Sequence, residues 1–237
     1  MLEKTKFVRF LLETGTLTFG DFALKNGRRT PYSIDTDKLD SGMALSRMGS
    51  CFARVIYEKM EMDVVPWETT TLYGLPSKGV TLATAASVAM AAAFDLDFGC
   101  TFNRKGTDAS DPENIFVGKR PKEGDMILII DDYITSGTTL RETVDLLKAF
   151  APGANVVGSV VAVDLKECGR DSRLSAVAEA EYELGLPIFS LIDIDEILVI
   201  LKSDVIDRRQ RDGRMPGLPT KEQIDALENH LSENRTL

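Results

Sequence analysis

The sequence predicts an α/β fold in which a central parallel sheet is flanked by helices. Apolar runs rich in β-branched residues recur along the chain, the clearest being Met126–Ile130 and Asn155–Asp164. The first run is too short for a helix of normal length, and both are typical of strands buried on their two faces. Turns and then helical patterns follow such runs, which is the order that a parallel sheet requires.

The most informative stretch runs from Met126 to Glu142, MILIIDDYITSGTTLRE. Two aspartates, Asp131 and Asp132, follow its strand directly. A turn of small hydroxyl residues around one glycine comes next, formed by Thr135, Ser136, Gly137, Thr138 and Thr139. Apolar residues at helical spacing then predict a helix.

The order of strand, acids, turn and helix suits a phosphorylated sugar. Ligands of open α/β sheets bind at the carboxyl ends of the strands, and the free N–H groups of a helix start attract phosphate. The carboxylates of Asp131 and Asp132 would repel a phosphate. They suit ribose hydroxyls, a hard cation such as Mg²⁺, or a sugar carbon that develops positive charge. The alternative is an ordinary strand–turn–helix unit with a polar turn.

A second anion site is predicted earlier in the chain. We expect Val64–Glu68 to be the first core strand, and residues 71–79, TLYGLPSKG, to form a loop. Lys78 is the only charge in that loop, and a helix from Val80 to Ala93 follows it. A glycine-containing loop with a lysine at a helix start attracts anions, and we expect a strained, even cis, non-proline peptide within it.

The remaining elements follow from periodicity and turn signals. An amphipathic helix is expected over residues 2–14, a hairpin over residues 17–35 with Asn26-Gly27 at its tip, and a helix over residues 41–60. Further along, we expect strands at Asp97–Asn103 and Pro187–Leu191, helices at Arg173–Leu184 and Asp195–Leu201, and a long loop between Lys105 and the strand at Met126. Beyond Asp207 a polar linker leads to a helix, whose candidate capping box is Thr220 with Gln223.

Composition limits the classes of function. The formal net charge of −9 argues against nucleic acid or an anionic membrane as the main partner. The single histidine, His230, lies in a polar segment near the C-terminus, so histidine-based catalysis is not expected. Three widely spaced cysteines and the lack of a signal-peptide pattern predict reduced thiols and a cytoplasmic location.

The stretch Ile127–Thr139 resembles the phosphoribosyl-pyrophosphate (PRPP) motif of the type I phosphoribosyltransferases. Residues 22–32 resemble the N-terminal signature F-x-L-K-x-G-R-x-(S/T)-P-Y of the orotate phosphoribosyltransferases, and Phe102–Lys105 matches that family's F/Y-N-R-K. The resemblance implies the type I phosphoribosyltransferase fold with an N-terminal hood at residues 1–40, a core at residues 41–206, and a C-terminal linker and helix at residues 207–237.

The resemblance also implies an activity and a set of site residues. The family transfers the phosphoribosyl group of PRPP to orotate with Mg²⁺, as a homodimer whose active sites are shared. Asp131, Asp132 and Lys105 would be catalytic, and the two aspartates would also meet the metal, directly or through water or ribose hydroxyls. The substrate-binding residues would be Lys25, Tyr32, Ser77, Lys78, Arg104, Thr135, Ser136, Gly137, Thr138 and Thr139.

Two departures from the family pattern leave alternatives open. The family's K-D-H-G in the loop after Lys105 is replaced by Asp108–Asp111, and Leu165 stands where an arginine contacts orotate. A leucine cannot hydrogen-bond a pyrimidine. Besides an orotate phosphoribosyltransferase, the sequence is therefore compatible with a divergent phosphoribosyltransferase for another base, or with a non-catalytic PRPP or nucleotide sensor.

Overall fold

A computed structural model describes residues 2–23, 29–104, 115–169, 174–203 and 217–233. Its helices are α1 (Leu2–Glu13), α2 (Gly42–Glu61), α3 (Lys78–Phe94), α4 (Thr138–Phe150), α5 (Ala176–Leu184), α6 (Ile194–Leu201) and α7 (Lys221–Glu233), with one 3-10 turn at Thr36–Lys38. Its strands are β1 (Leu17–Ala23), β2 (Arg29–Ile34), β3 (Thr69–Gly74), β4 (Gly99–Asn103), β5 (Phe116–Gly118), β6 (Met126–Tyr133), β7 (Asn155–Asp164) and β8 (Ile188–Asp193).

The predicted central parallel sheet is confirmed. It has six strands in the order β5-β4-β3-β6-β7-β8, and every neighbouring pair is parallel except β4 with β5 at one edge. Strand β4 lies beside β3 on one side, and the chain then returns to place β6 on the other side of β3. The strand order therefore reverses between β3 and β6, and this reversal opens a crevice at their carboxyl ends.

Helices cover both faces of the sheet, because alternate residues of each central strand point in opposite directions. Leu128 and Ile130 of β6 lie in the larger apolar cluster, to which α1, α2, α3 and α6 contribute. Ile127 and Ile129 face the smaller cluster, which contains residues of α4 and α5. Burial on both faces explains why the sequence of β6 is continuously apolar rather than alternating.

The position of the first core strand was predicted wrongly. The strand is Thr69–Gly74, not Val64–Glu68, so the first half of the expected 71–79 loop is strand. The carbonyl oxygen of Pro66 accepts hydrogen bonds from both the amide and the hydroxyl of Thr69, at 3.1 and 2.6 Å, which closes a turn where the strand was expected. Three consecutive β-branched threonines then begin β3, as strand preferences favour.

Two other boundaries differ. Helix α5 begins at Ala176 rather than Arg173, because Ser175 caps it by accepting a hydrogen bond from the Ala178 amide at 3.1 Å. Strand β6 runs on to Tyr133, so both aspartates of the motif belong to the strand itself. The other predicted helices and strands agree with the structure to within two residues, but the long loop expected after Lys105 contains strand β5. Asn26-Gly27 lies outside the described residues.

The antiparallel hairpin β1–β2 lies against the C-terminal helix α7. Gln223 of that helix donates a hydrogen bond to the Phe19 carbonyl at 3.1 Å, and the rings of Tyr32 and His230 meet edge to face at 6.2 Å. Leu227 is fully buried in the larger apolar cluster. The predicted capping box is present, since the amides of Thr220 and Gln223 each donate to the other residue's side chain.

Replacement of Leu227 by alanine should lower the free energy of unfolding by about 2–5 kcal/mol, as for other buried leucines. The measurement is urea denaturation of the whole chain. Asn229→Ala, at an exposed position of the same helix, should change the value by less than about 0.5 kcal/mol. Equal effects of the two substitutions would show that α7 does not pack as described.

A partly buried ion pair between Lys119 and Asp125 connects segments at the amino-terminal end of the sheet. The carboxylate of Asp125, only 4% exposed, accepts hydrogen bonds from the Lys119 ammonium at 2.9 Å, the Lys122 amide at 3.0 Å and the Thr70 hydroxyl at 3.0 Å. Burial alone would raise the pKa of Asp125, but these donors outweigh it and hold the pKa below the ordinary value of 3.8.

The Asp125 network predicts a pH-dependent stability difference. Because the folded-state pKa is lowered, the ionised carboxylate stabilises the fold above about pH 4, and this contribution is lost as the pH falls through the folded value. Asp125→Asn should cost about 1.5–3 kcal/mol at pH 7 and progressively less below pH 4, as measured by urea denaturation at several pH values. The exposed Asp97→Asn is the control, and a pH-independent cost for Asp125→Asn would contradict the assignment.

Candidate functional site

The two predicted anion-binding turns meet at the reversal of strand order. One follows β3 and leads into α3; the other follows β6 and leads into α4. Strands β3 and β6 are direct neighbours, with Gly74 opposite Ile130. The two helix N-termini and the aspartates at the end of β6 are therefore brought to one crevice, where helix dipoles favour negatively charged groups.

The turn after β6 is open towards its helix start. Gly137 adopts the left-handed conformation, with φ +68°, and caps α4 without a side-chain hydrogen bond. The hydroxyls of Ser136 and Thr138 lie 2.9 Å apart, while Thr135 and Thr139 are exposed. The first amides of α4 thus lack a side-chain cap, which leaves them available to an anion.

Arg141 holds this turn in place through its backbone. No role was predicted for this residue from the sequence. Its guanidinium donates to the Ser136 carbonyl at 2.5 Å and pairs with Glu179 at 3.2 Å and with Glu183. Both glutamates lie on α5, so the contact joins two helices on the same face of the sheet. A pairing between residues 38 positions apart has no local signal in the sequence.

The turn after β3 is strained, as predicted. Ser77 has φ +86° and ψ −97° and caps α3 without a side-chain hydrogen bond. Such a conformation is costly for a residue other than glycine. No peptide bond within the described parts of the chain is cis, so the strain takes the form of a left-handed serine.

Close backbone packing holds this turn against β6. A Cβ added to Gly79 would lie 2.4 Å from the Ile130 carbonyl oxygen, and one added to Gly74 would lie 2.5 Å from the Gly79 carbonyl oxygen. The Leu75 amide donates to the same Ile130 carbonyl at 3.0 Å. Glycine at these positions lets the start of α3 approach the end of β6.

The two aspartates at the end of β6 have different neighbours, which act differently on their pKa values. Burial, together with the neighbouring charge of Asp132, raises the pKa of Asp131 to about 8. Burial also raises the pKa of Asp132, although hydrogen bonds from Thr36 and the Tyr133 amide, and the nearby Lys78 ammonium, oppose that rise. Asp131 therefore keeps its proton more readily, and the pair carries less than its full negative charge near neutral pH.

A short turn after the hairpin contacts both sides of the crevice. The Thr36 hydroxyl donates to Asp132 Oδ2 at 2.6 Å, and Asp37 forms an ion pair with Lys78. The hairpin predicted from the sequence ends at Asp35, and no role was predicted for Thr36 or Asp37. The available signal was a polar Asp-Thr-Asp run at a strand end, which is too common in loops to be informative by itself.

The other predicted site residues lie around the crevice or outside the described residues. Arg104 is exposed at the end of β4, and its amide donates to the Ile115 carbonyl at 3.0 Å. Tyr32 is only 4% exposed and packs towards α7. Lys25 and Lys105 lie outside the described residues, as does most of the loop after Lys105.

Leu165 is buried in the main core, and its neighbour Lys166 is held elsewhere. The Lys166 ammonium lies 2.9 Å from Asp193 and 3.0 Å from Asp195. Lys166 has φ +50°, and its amide donates to Asp164 Oδ1 at 2.8 Å. The lysine ammonium thus pairs with one acid at the end of β8 and one in the first turn of α6, and neither side chain resembles a free base-reading arginine.

The donor set at the end of β6 is compatible with Mg²⁺. Asp131 and Asp132 offer carboxylate oxygens, and Mg²⁺ commonly binds one or two carboxylates while keeping waters and substrate phosphates as its other ligands. In the described part of the chain no cluster of three or more histidine, cysteine or acidic side chains could enclose a metal. Because two carboxylates fill only part of the coordination sphere of Mg²⁺, the site suits a cation that arrives with a phosphorylated ligand.

Comparison with known proteins agrees with this geometry. Residues 44–179 match the family described as the phosphoribosyl transferase domain. The chain is 38% identical over 193 residues to an orotate phosphoribosyltransferase of Bifidobacterium animalis subsp. lactis, covering 81% of this chain and 83% of that protein. It is 36% identical over 199 residues to one of Pseudomonas aeruginosa, covering 84% and 88%.

A solved structure is similar over nearly the whole chain. The crystal structure of an orotate phosphoribosyltransferase of Francisella tularensis superposes with a TM-score of 0.74 at 25% identity, and the superposition covers 96% of this chain and 98% of that one. The likeness extends beyond the matched domain to both ends of the chain.

The contact between Gly79 and β6 can be tested by adding one methyl group. Gly79→Ala should lower the free energy of unfolding by about 1–3 kcal/mol, because a backbone carbonyl cannot move away as a side chain could. Gly42→Ala, where a Cβ would meet nothing within 4 Å, should be neutral or slightly stabilising. Denaturant unfolding measures both, and a neutral Gly79→Ala would contradict the close approach.

Proposed function

This chain belongs to the phosphoribosyl transferase family, and we propose that it transfers the phosphoribosyl group of PRPP to orotate. The products are orotidine 5′-monophosphate and pyrophosphate, as in the de novo synthesis of pyrimidine nucleotides. The observation that carries this proposal is the pair of anion-binding turns on either side of Asp131 and Asp132. The curated relatives, which are 33–38% identical over at least four-fifths of the chain, supply the choice of orotate.

Each part of PRPP has a place in the proposed site. The turn Thr135–Thr139 would hold the 5′-phosphate on the N-terminus of α4. The turn at Ser77 and Lys78, together with Arg104 and Lys105, would hold the pyrophosphate. Lys25 would contact substrate from the hairpin side, whereas the burial of Tyr32 against α7 argues against a direct substrate contact for that residue. Two phosphorylated ends anchored on two rigid turns fix the sugar between them.

The two aspartates would act on the sugar. Their carboxylates would bind ribose hydroxyls and stabilise the positive charge that develops on the sugar carbon as pyrophosphate departs. Because such catalysis is positioning and electrostatics, no side-chain nucleophile is required. A neighbouring positive charge favours the ionised form of a carboxyl group, so the charge that develops on the sugar would oppose the rise that burial causes in the pKa of Asp131.

Asp131 and Asp132 would meet Mg²⁺, directly or through water and ribose hydroxyls. When bound with PRPP, the cation would neutralise the charge of the leaving pyrophosphate. Mg²⁺ would also reduce the repulsion between that pyrophosphate and the acids of residues 108–113.

We also propose an oligomeric state and a cellular location for this protein. We infer a homodimer whose active sites are shared, from the resemblance at Phe102–Lys105, and a cytoplasmic enzyme, from its free cysteines Cys51, Cys100 and Cys168. None of the helices in the described ranges is both long and apolar enough to span a membrane.

A second candidate is a phosphoribosyltransferase for another base. The burial of Leu165 and the ion pairs of Lys166 favour it, because the position that reads orotate in the family is apolar here. PRPP consumption measured separately with orotate, uracil and purine bases distinguishes the candidates. Turnover on orotate supports the first, and turnover on another base alone supports the second. Tight PRPP binding without turnover would identify a sensor instead.

Asp132→Asn should reduce turnover far more than PRPP affinity. We expect kcat to fall on the order of 10²–10³-fold, as when one electrostatic stabiliser of a transition state is removed, with the Kd for PRPP within a few-fold of wild type. Steady-state kinetics and calorimetric titration provide the two values. Asp145→Asn, an exposed acid of α4, is the control. Equal losses of turnover and affinity would count against the catalytic role.

A further inference from the structure

The contact between Thr36 and Asp132 joins parts of the chain that are 96 residues apart. Each of the two residues is only 8% exposed. The hydroxyl donates to Asp132 Oδ2 at 2.6 Å, which is short for a neutral donor and typical of a donor to an ionised carboxylate. This hydrogen bond connects the turn after the β1–β2 hairpin with β6, the strand that carries Asp131 and Asp132.

The Asp132 carboxylate is held at both oxygens. Oδ1 accepts from the Tyr133 amide at 2.8 Å, while Oδ2 accepts from Thr36. An aspartate with one backbone contact can still rotate about its last side-chain bond, because that torsion is broad. The second hydrogen bond therefore fixes the plane of the carboxylate.

The turn that carries Thr36 is itself well anchored. The Asp35 amide donates to the Thr16 carbonyl at 2.8 Å, and the Leu39 amide donates to the Thr36 carbonyl at 3.0 Å. The Asp35 side chain caps the turn by accepting from the Asp37 amide at 3.0 Å. Asp37, in turn, pairs with Lys78 at the start of α3. The turn that carries Thr36 is therefore held in place, and through Asp37 it also contacts the start of α3 on the other side of the crevice.

We propose that Thr36 is a positioning residue for the transfer reaction: its hydroxyl holds Asp132 in the orientation at which the carboxylate meets the ribose of PRPP. This inference rests on the proposed function. Misplacement of a catalytic group by about 1 Å can cost on the order of 10²-fold in rate. The contribution of Thr36 should therefore appear in kcat rather than in the binding of PRPP, whose phosphates are held by the two turns.

The test compares Thr36→Val with Thr36→Ser in the full-length protein. Valine keeps the shape and removes the donor, whereas serine keeps the donor. We expect Thr36→Val to lower kcat about 10–100-fold with the Kd for PRPP within about 3-fold of wild type, and Thr36→Ser to retain most of the rate. Thr84→Val is the control, because the exposed Thr84 hydroxyl contacts the Val80 carbonyl at 2.8 Å and Cys100 Sγ at 3.5 Å, and neither contact involves Asp132.

A double substitution separates positioning from a purely structural role. If Thr36 acts through Asp132, Thr36→Val should cause no further loss of kcat when Asp132 is already asparagine. Additive losses would overturn the inference, as would an unchanged kcat in Thr36→Val. If the valine variant does not fold, Thr36→Ala in the same cycle gives the same comparison, and thermal unfolding of each variant verifies that it is native.

Failure of the inference and failure of the proposed function give different results. A wild-type protein that consumes no PRPP with orotate contradicts the proposed function, and Thr36 then has no orotate transfer to support. A wild-type protein that turns over orotate, with a Thr36→Val variant of equal kcat, contradicts the role of Thr36 alone.

Discussion

The site depends on one constraint: the start of α3 must lie directly against the end of β6. The glycines of the β3–α3 turn satisfy it, because a side chain at Gly79 would collide with the Ile130 carbonyl. Ile130 is followed immediately by Asp131 and Asp132, so the same contact sets the distance between the first anion-binding turn and the acids. The second turn then follows from the geometry of β6 and α4. Two positive helix ends and a buried acidic pair thus share one crevice.

Burial of two adjacent carboxylates is costly, and the structure shows how the cost is reduced. Burial and the charge of Asp132 raise the pKa of Asp131 to about 8, while Asp132 receives hydrogen bonds from Thr36 and the Tyr133 amide. Lys78 lies near Asp132 and pairs with Asp37. A pair arranged in this way suits a developing positive charge, because Asp132 is held by donors to its carboxylate and a nearby cation opposes the rise in the pKa of Asp131.

The parallel sheet and the acidic motif could be predicted because their signals are local. The apolar run Met126–Ile130 and the hydroxyl turn around Gly137 are contiguous in sequence, and physical chemistry limits what such an order can bind. The first core strand was misplaced because Val64-Val65 resembles a strand, while its neighbour Pro66 closes a turn that only the structure reveals. Local propensity was overridden there by the pairing of Thr69–Gly74 with β6.

The contacts that sequence reasoning could not find are those between distant segments. Thr36 with Asp132 and Arg141 with Glu179 each require the complete topology before the partners become neighbours. The same applies to Lys166, whose ion pairs with Asp193 and Asp195 form only when the fold brings the ends of β7 and β8 together. Base recognition, at Leu165, is one of the two places where the family pattern and this chain differ, the other being the loop after Lys105.

The most direct test of the central claim is a crystal structure of the protein with PRPP and Mg²⁺. The account predicts the 5′-phosphate in the Thr135–Thr139 turn, the ribose ring above Asp131 and Asp132, and the pyrophosphate at the start of α3. A sugar phosphate bound elsewhere, or a crevice that stays empty at saturating PRPP, would contradict it.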